Sequence, residues 1–258
     1  GWFIRRREAR LGHGATALRG ATWLVGALPL ALPILAFASG GGPPNAVDTL
    51  PASTIQGIEA GIVGIIDAPA GRYEVVAHAA TSITAHLSAG HEAFDARFGA
   101  GGGGDGIRGS WQGDPHDLTR PIKAEISVDA ASVDTGIDLR STHARDEYLQ
   151  AAKFPKITVA IDRVSAASQA GPNSIAFRAT GTVGLIGKTH PVEITGTMKK
   201  ADAAALARLG VKDGGEVLLV QADFAVTIKD TALAADAKDF DGDRIPIHAS
   251  LVMRHTSG

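Results

Sequence analysis

Residues 245–254 read IPIHASLVMR, and the spacing of their apolar side chains decides the fold. Ile245, Ile247, Ala249, Leu251 and Met253 fall on one face of an extended chain, while Pro246, His248, Ser250 and Arg254 are among those on the other. A period of two marks a half-buried strand, because successive side chains of a strand point to opposite sides of the sheet. The same period recurs upstream. Ile122, Ala124, Ile126 and Val128 alternate with Lys123, Glu125, Ser127 and Asp129, and Ile157, Val159 and Ile161 alternate with Thr158, Ala160 and Asp162. Further strands are expected at 73–77, 80–87, 93–98, 107–112, 174–185, 190–198 and 216–228. Two short helices are expected as connections, one over 139–150 and one over 202–209, the latter with Asp202 as N-cap and Gly210 as its stop. So many antiparallel strands, punctuated by Gly and Pro, predict an all-β domain closed into an eight-stranded barrel, since closure removes the edges an open sheet would expose. Such a barrel is just wide enough for side chains or one slender ligand along its axis.

Upstream of residue 72 the pattern changes. Residues 1–20 carry Arg5, Arg6, Arg7, Arg10 and Arg19 against Glu8 alone, a net +4 in a chain whose total formal charge is −2. No charged residue follows until Asp48, and residues 21–38 read ATWLVGALPLALPILAFA, about the length a tilted membrane helix needs. The expectation is a basic cytoplasmic tail (1–20) and a single transmembrane helix (21–38), with the C-terminal barrel on the periplasmic side of a bacterial inner membrane. The anchor residues are Trp23, Leu24, Pro29, Pro33 and Phe37; Trp23 sits near the headgroups, and Pro29 and Pro33 bend the helix by removing backbone donors. The competing reading is a cleaved secretory signal, because Ala36-Phe37-Ala38 before Ser39 fits the small-x-small rule. Residues 39–71, with Gly40-Gly41-Gly42-Pro43-Pro44, Pro51 and Pro69, have linker composition and lead into a domain at 72–258. Within that linker, residues 55–66 (IQGIEAGIVGII) are too apolar for a free tether and are expected to lie on a partner, on the membrane surface or along the domain.

Composition narrows the chemistry. The 258 residues include no cysteine, which removes thiolate metal sites, iron–sulfur clusters and thiol nucleophiles. A near-neutral charge argues against nucleic-acid binding, which needs a concentrated excess of Lys and Arg.

Three segments resemble the YceI-like family of bacterial periplasmic polyisoprenoid-binding proteins. Residues 128–164, VDAASVDTGIDLRSTHARDEYLQAAKFPKITVAIDRV, are similar to the family's strand ending in a Ser-Val-Asp-Thr turn, its Arg/His-rich helical stretch and its Lys-Phe-Pro lead into a new strand. Residues 181–194, GTVGLIGKTHPVEI, resemble its Gly/Thr/Pro-marked hairpin, and residues 73–98 resemble its opening strand and turn. The resemblance spans roughly residues 71–254 and implies a lipocalin-like barrel whose tunnel suits an isoprenoid tail. Three features depart from it: the glycine-rich stretch GAGGGGDG at 99–106, an aromatic content of only 5%, and the N-terminal anchor and linker. The first two imply a tunnel lining that is thinner, or filled.

Tyr148, Phe154, Phe177 and Phe224 are the candidate lining, against the alternative that they are simple core. Arg140 and His143, with Arg145 and Asp146, fall on the Arg/His-rich helix and are candidates for a polar or anionic head group, against a solvated helix face with i,i+3 and i,i+4 pairs. His78, His86 and His91 lack metal-ligand spacing. Asp239-Phe240-Asp241-Gly242-Asp243 departs from a calcium loop, which needs Gly at its sixth position and Glu at its twelfth, and it reads as a polar turn. Gly187-Lys188-Thr189 lacks the upstream Gly of a phosphate loop, and no Gly-x-Ser-x-Gly elbow occurs. Catalytic residues, metals and cofactors are therefore not expected, apart from the isoprenoid lipid the resemblance implies. The expected function is a non-enzymatic accessory structural subunit of an inner-membrane complex, respiratory or photosynthetic, held through the N-terminal helix and linker. The alternative is a periplasmic isoprenoid- or quinone-type lipid-binding protein freed by cleavage after Ala38.

Overall fold

The computed structural model describes residues 61–99, 105–211 and 215–256. The expected tail, the membrane helix with Trp23, Leu24, Pro29, Pro33 and Phe37, and most of the linker lie outside the described residues. Among the described residues no helix is long and apolar enough to cross a membrane.

Ten strands form: β1 (Gly71–Val75), β2 (Ser82–Ala89), β3 (Glu92–Phe98), β4 (Ile107–Gly113), β5 (Lys123–Asp129), β6 (Lys156–Gly171), β7 (Ser174–Leu185), β8 (Lys188–Lys200), β9 (Val217–Thr227) and β10 (Arg244–Thr256). All pairings between them are antiparallel, in the order β1-β4-β5-β6-β7-β8-β9-β10, and β10 returns to β1 through Met253–Val75 and Thr256–Arg72. Those eight strands close the expected all-β barrel. The β2–β3 hairpin is an addition to it, pairing with the same edge of β10 further along, over Ile247–Ser250. β1 and β2 are thus successive on one edge, broken at residues 76–81. Thr81, fully buried, staples the break: its hydroxyl donates to the Val76 carbonyl at 2.8 Å and accepts from Val252 N–H at 3.3 Å.

The hairpin turns follow from local chemistry. Gly90-His91 joins β2 to β3 with both residues at positive φ, the conformation whose twist matches paired strands. Pro172-Asn173 joins β6 to β7, with proline at the first central position and Asn173 at φ 52°.

The longest strand, β6, exceeds the expected 157–162 by nine residues at its far end. Register shifts at Ile161/Arg163, Val164/Ala166 and Gln169/Gly171 interrupt its period of two, so the alternation that announces a strand fades after Ile161. The connection after β5 contains a helix over Asp138–His143 continued by a wider turn over Ala144–Tyr148, matching the expected 139–150. The second expected helix forms over Ala203–Arg208. The Asp202 carboxylate accepts from Ala205 N–H at 2.8 Å, and Gly210 ends the segment at φ 66°. A single turn of 3-10 helix over Ile228–Asp230 and a longer 3-10 segment over Ala232–Asp239 were not expected; Thr231 caps the second by accepting from Leu233 N–H at 3.1 Å.

The inward faces form one continuous core. The barrel has a lower end, with the β6–β7 turn, the loop 114–122 and the start of β1, and an upper end, with the connection 130–155 and the turns 228–243. Residues 61–70, the last part of the expected linker, lie across the lower end. Ile62 bridges Ala167 in parallel, and Ile66 is fully buried.

Candidate ligand site inside the barrel

Where strands β4 to β10 face one another in the lower half of the barrel, their side chains leave a space of about 60 Å³. Its wall is entirely hydrophobic and includes Trp111, Leu118, Ile175, Phe177, Met198 and Met253. No charged or polar side chain faces it. An apolar cavity of this kind stays dry, and its natural occupant is hydrocarbon. The space is small: benzene occupies an engineered cavity of about 150 Å³. The resting barrel is therefore nearly filled by its own side chains, in line with the thin or filled lining the departures implied. Two of the wall residues, Met198 and Met253, are unbranched and can re-pack to admit a guest.

Aromatic rings gather beneath this space at the lower mouth. Tyr73 is fully buried, with its ring centroid 5.6 Å from Trp111 and 5.0 Å from His255. Its hydroxyl donates to the Pro69 carbonyl at 2.7 Å. Burial, helped by the negative charge of Glu216, pushes the phenol up to about 12, so it remains a donor across the physiological range. Neither ring was singled out from the sequence. Parity would have found Trp111, which shares the inward face of β4 with Ile107.

Of the six candidate ligand residues, Phe177 alone lines the cavity, at 5% exposure. Phe224 is half-buried against the core beyond the cavity, cross-strand from Ile247. Tyr148 packs edge-on against Phe240 at 5.7 Å, and its hydroxyl donates to Asp239 at 3.2 Å, closing the upper end. Phe154 lies under the β7–β8 turn, where Gly187 leaves room for its ring, and carries the Lys153 ammonium 5.0 Å above it.

Arg140 is buried. Its guanidinium lies 4.1 Å from the Phe94 ring centroid and donates to Glu92 at 2.9 Å and to the Thr135 carbonyl at 3.0 Å, while its Nε has no hydrogen-bond partner. This pins the helix to the β2–β3 hairpin, away from the apolar space. His143 is half-buried on the same helix.

The acidic run at 239–243 is drawn apart. Asp239 takes the Tyr148 hydroxyl, Asp241 caps the β2–β3 hairpin by accepting from Ser88 Oγ and His91 N–H, both at 2.8 Å, and Asp243 faces Lys229 at 3.4 Å. Those hydrogen bonds, the Ser88 one foremost, hold the Asp241 carboxyl below its ordinary range. Outside the barrel, a larger dip of about 270 Å³ over β1, β4 and β5 mixes Arg72, Arg108 and Lys123 with Glu125 and is an open surface.

The chain is similar to several solved structures. A polyisoprenoid binding domain from Saccharophagus degradans, implicated in plant cell wall breakdown, is 15% identical, with a TM-score of 0.50 over 71% of this chain and 98% of its own. BcnA of Burkholderia cenocepacia is 18% identical, with a TM-score of 0.46 over 67% of this chain and 95% of its own. A YCEI protein of Campylobacter jejuni is 18% identical, with a TM-score of 0.38 over 52% and 73%. No curated protein sequence matches the chain. The YceI-like domain, however, matches residues 73–253, which run from the aromatic mouth at Tyr73 to the cavity wall at Met253: the chain belongs to the YceI-like family.

Proposed function

We propose that this chain is a binding protein, not an enzyme, whose barrel takes the hydrocarbon part of an isoprenoid-type lipid. The carrying observation is the wholly apolar space inside the barrel between Phe177, Met198 and Met253. The family supports the same class of ligand, since the Saccharophagus degradans relative is a polyisoprenoid binding domain. The wall supplies burial without any polar group that would select a head group, so affinity comes from apolar area at roughly 25 cal/mol per Å². The test is solvent extraction and mass spectrometry of the full chain purified from bacterial membranes. Isoprenoid should co-extract with the native chain and vanish in Phe177→Asp, which places a charge in the wall; a native chain carrying no lipid would refute the reading.

We further propose that residues 21–38 tether the barrel at the periplasmic face of an inner membrane, where its ligand resides. A role as accessory subunit of a membrane complex is the second reading, favoured by Val63 and Ile65, apolar residues 72% and 56% exposed where the chain leaves the barrel toward its N-terminus. Gentle detergent solubilisation and size separation test it: the chain should travel with a large assembly and lose that assembly when residues 1–60 are deleted.

A further inference from the structure

How a chain-like guest reaches the apolar space depends on which end of the barrel yields. The upper end is closed by segments integral to the fold: the Asp138–Tyr148 helical stretch, pinned through Arg140, and the turns at 228–243, latched to the β2–β3 hairpin through Asp241. The lower end is closed differently. Residues 61–69 cross it as a single strap that joins no ladder beyond one parallel bridge, Ile62 to Ala167. Its hydrogen bonds are scattered over separate parts of the rim. Val63 N–H donates to the Ala167 carbonyl at 2.7 Å, and Ile66 N–H to the Pro115 carbonyl at 3.0 Å. The Gln169 amide accepts from Ile65 N–H at 3.0 Å and donates to the Ile65 carbonyl at 3.2 Å. Asn173 accepts from Asp67 N–H at 2.9 Å, and the Lys200 ammonium donates to the Asp67 carbonyl at 2.8 Å.

Inside the strap, Ile62, Ile66 and Ala68 pack on the same core as Trp111, Leu118 and Met253. Gly64 runs against the cavity wall itself: a Cβ at that position would stand 3.0 Å from Ile175 Cγ2. Outside, Val63 and Ile65 face away from the barrel. A segment outside the strand ladder, held to several elements by separate, largely solvent-exposed hydrogen bonds, belongs to the part of a fold that opens at the lowest free energy. The apolar space lies in the barrel half nearest to it.

We propose that residues 61–69 are a displaceable plug and that the lower mouth they cover is the entrance through which an apolar chain reaches the space beside Phe177. This rests on the lipid-binding reading above. Peeling the strap away removes Ile66 from the mouth and exposes the ring of Tyr73, Trp111 and His255 as an apolar threshold. Because the strap continues directly into residues 1–60, whatever holds that segment also bears on the plug.

A covalent lock tests this cleanly, because the chain has no cysteine with which an introduced pair could mispair. Ile62→Cys with Ala167→Cys places two thiols at the bridged pair. The full chain, immobilised, is incubated with phosphatidylcholine vesicles doped with farnesol, washed and extracted. The oxidised pair should take up at least tenfold less farnesol per chain than the same protein after reduction, and the reduced pair should match the native chain. Gln169→Ala, which loosens the strap without entering the wall, should accelerate uptake severalfold. Equal uptake by oxidised and reduced pairs would overturn the plug while leaving lipid binding intact. No uptake by the native chain would overturn lipid binding and the plug with it. If the pair binds in neither state while the native chain does, Gln169→Ala decides: faster uptake upholds the plug and unchanged uptake overturns it.

Discussion

Replacing Phe177 by Ala should weaken the fold and enlarge its interior at once, and both effects follow from what surrounds the ring. Phe177 is 5% exposed and stands between Ala167 of β6 and Gly196 of β8, its cross-strand partners. The ring lies so close over the Gly196 backbone that a Cβ there would be 2.8 Å from Phe177 Cζ. Neither flanking residue has a side chain that could swing into the vacated volume, and the strands are held in a closed ladder. The hole should therefore persist. Phe→Ala changes in cores cost about 3–5 kcal/mol, with roughly 24 cal/mol for each Å³ of cavity that fails to collapse, so the upper half of that range, about 4–5 kcal/mol, is expected. The hole also merges with the existing space of about 60 Å³, bringing the total to the order of the 150 Å³ at which a dry cavity accepts benzene. Urea unfolding followed by fluorescence measures the first effect, with an unchanged slope showing that the unfolded state is not at issue. Repeating the titration in benzene-saturated buffer measures the second, with about 1 kcal/mol regained by linkage. A loss below about 2 kcal/mol with no response to benzene would refute the placement of Phe177 in a tightly packed wall.

Other perturbations separate backbone, cap and charge. Gly181→Ala should cost about 3 kcal/mol in urea unfolding, because a Cβ there would fall 2.1 Å from the Ala160 carbonyl of the neighbouring strand. Gly242→Ala, with no atom within 4 Å of its Cβ, is its near-neutral counterpart. Asp202→Ala removes an N-cap and should lower the urea midpoint with the slope unchanged. The pH profile should carry a contribution from His248. Its hydrogen bond to Asp223, 2.8 Å long, raises its pKa in the fold, so the pair's stabilisation is complete below the ordinary histidine range and fades as pH rises through the raised value. His248→Asn should flatten that fall by about 0.5 kcal/mol, the scale of a partly exposed pair, when unfolding is compared at pH 5.5 and pH 8; a profile as steep as the native one would show that the pair contributes nothing.

Alternation made most of the wall legible before any coordinates. Where a strand pairs in regular register, as β10 does with β9 from Arg244 to Arg254, inward and outward residues alternate and can be counted along the chain. Where bulges intervene, as three times in β6, the count fails, and no period of two marks residues 163–171 although most of them are paired. The aromatic candidates show a similar limit. Phe177 stands on a regular strand and lines the space, whereas Tyr148 and Phe154 stand on the connection between β5 and β6, whose path no period describes. The plug was hardest to foresee, since its holders Gln169, Asn173 and Lys200 are ordinary polar residues at strand ends. Only the excess of isoleucine in residues 55–66 hinted that this stretch has a surface to cover.

Closure of the ring by β10 bears on how the protein is made. The strand that completes the barrel is the last to be synthesised, and the bond between Thr256 and Arg72 joins residues 184 apart in the chain. Until that strand arrives, β1, β2 and β9 each keep an unpaired edge, so a nascent barrel carries sticky strand edges until β10 is made. Loops this long close slowly. A chain lacking residues 247–256 would lose the partner of three strands together, and should be cleared or aggregate instead of persisting as a looser barrel.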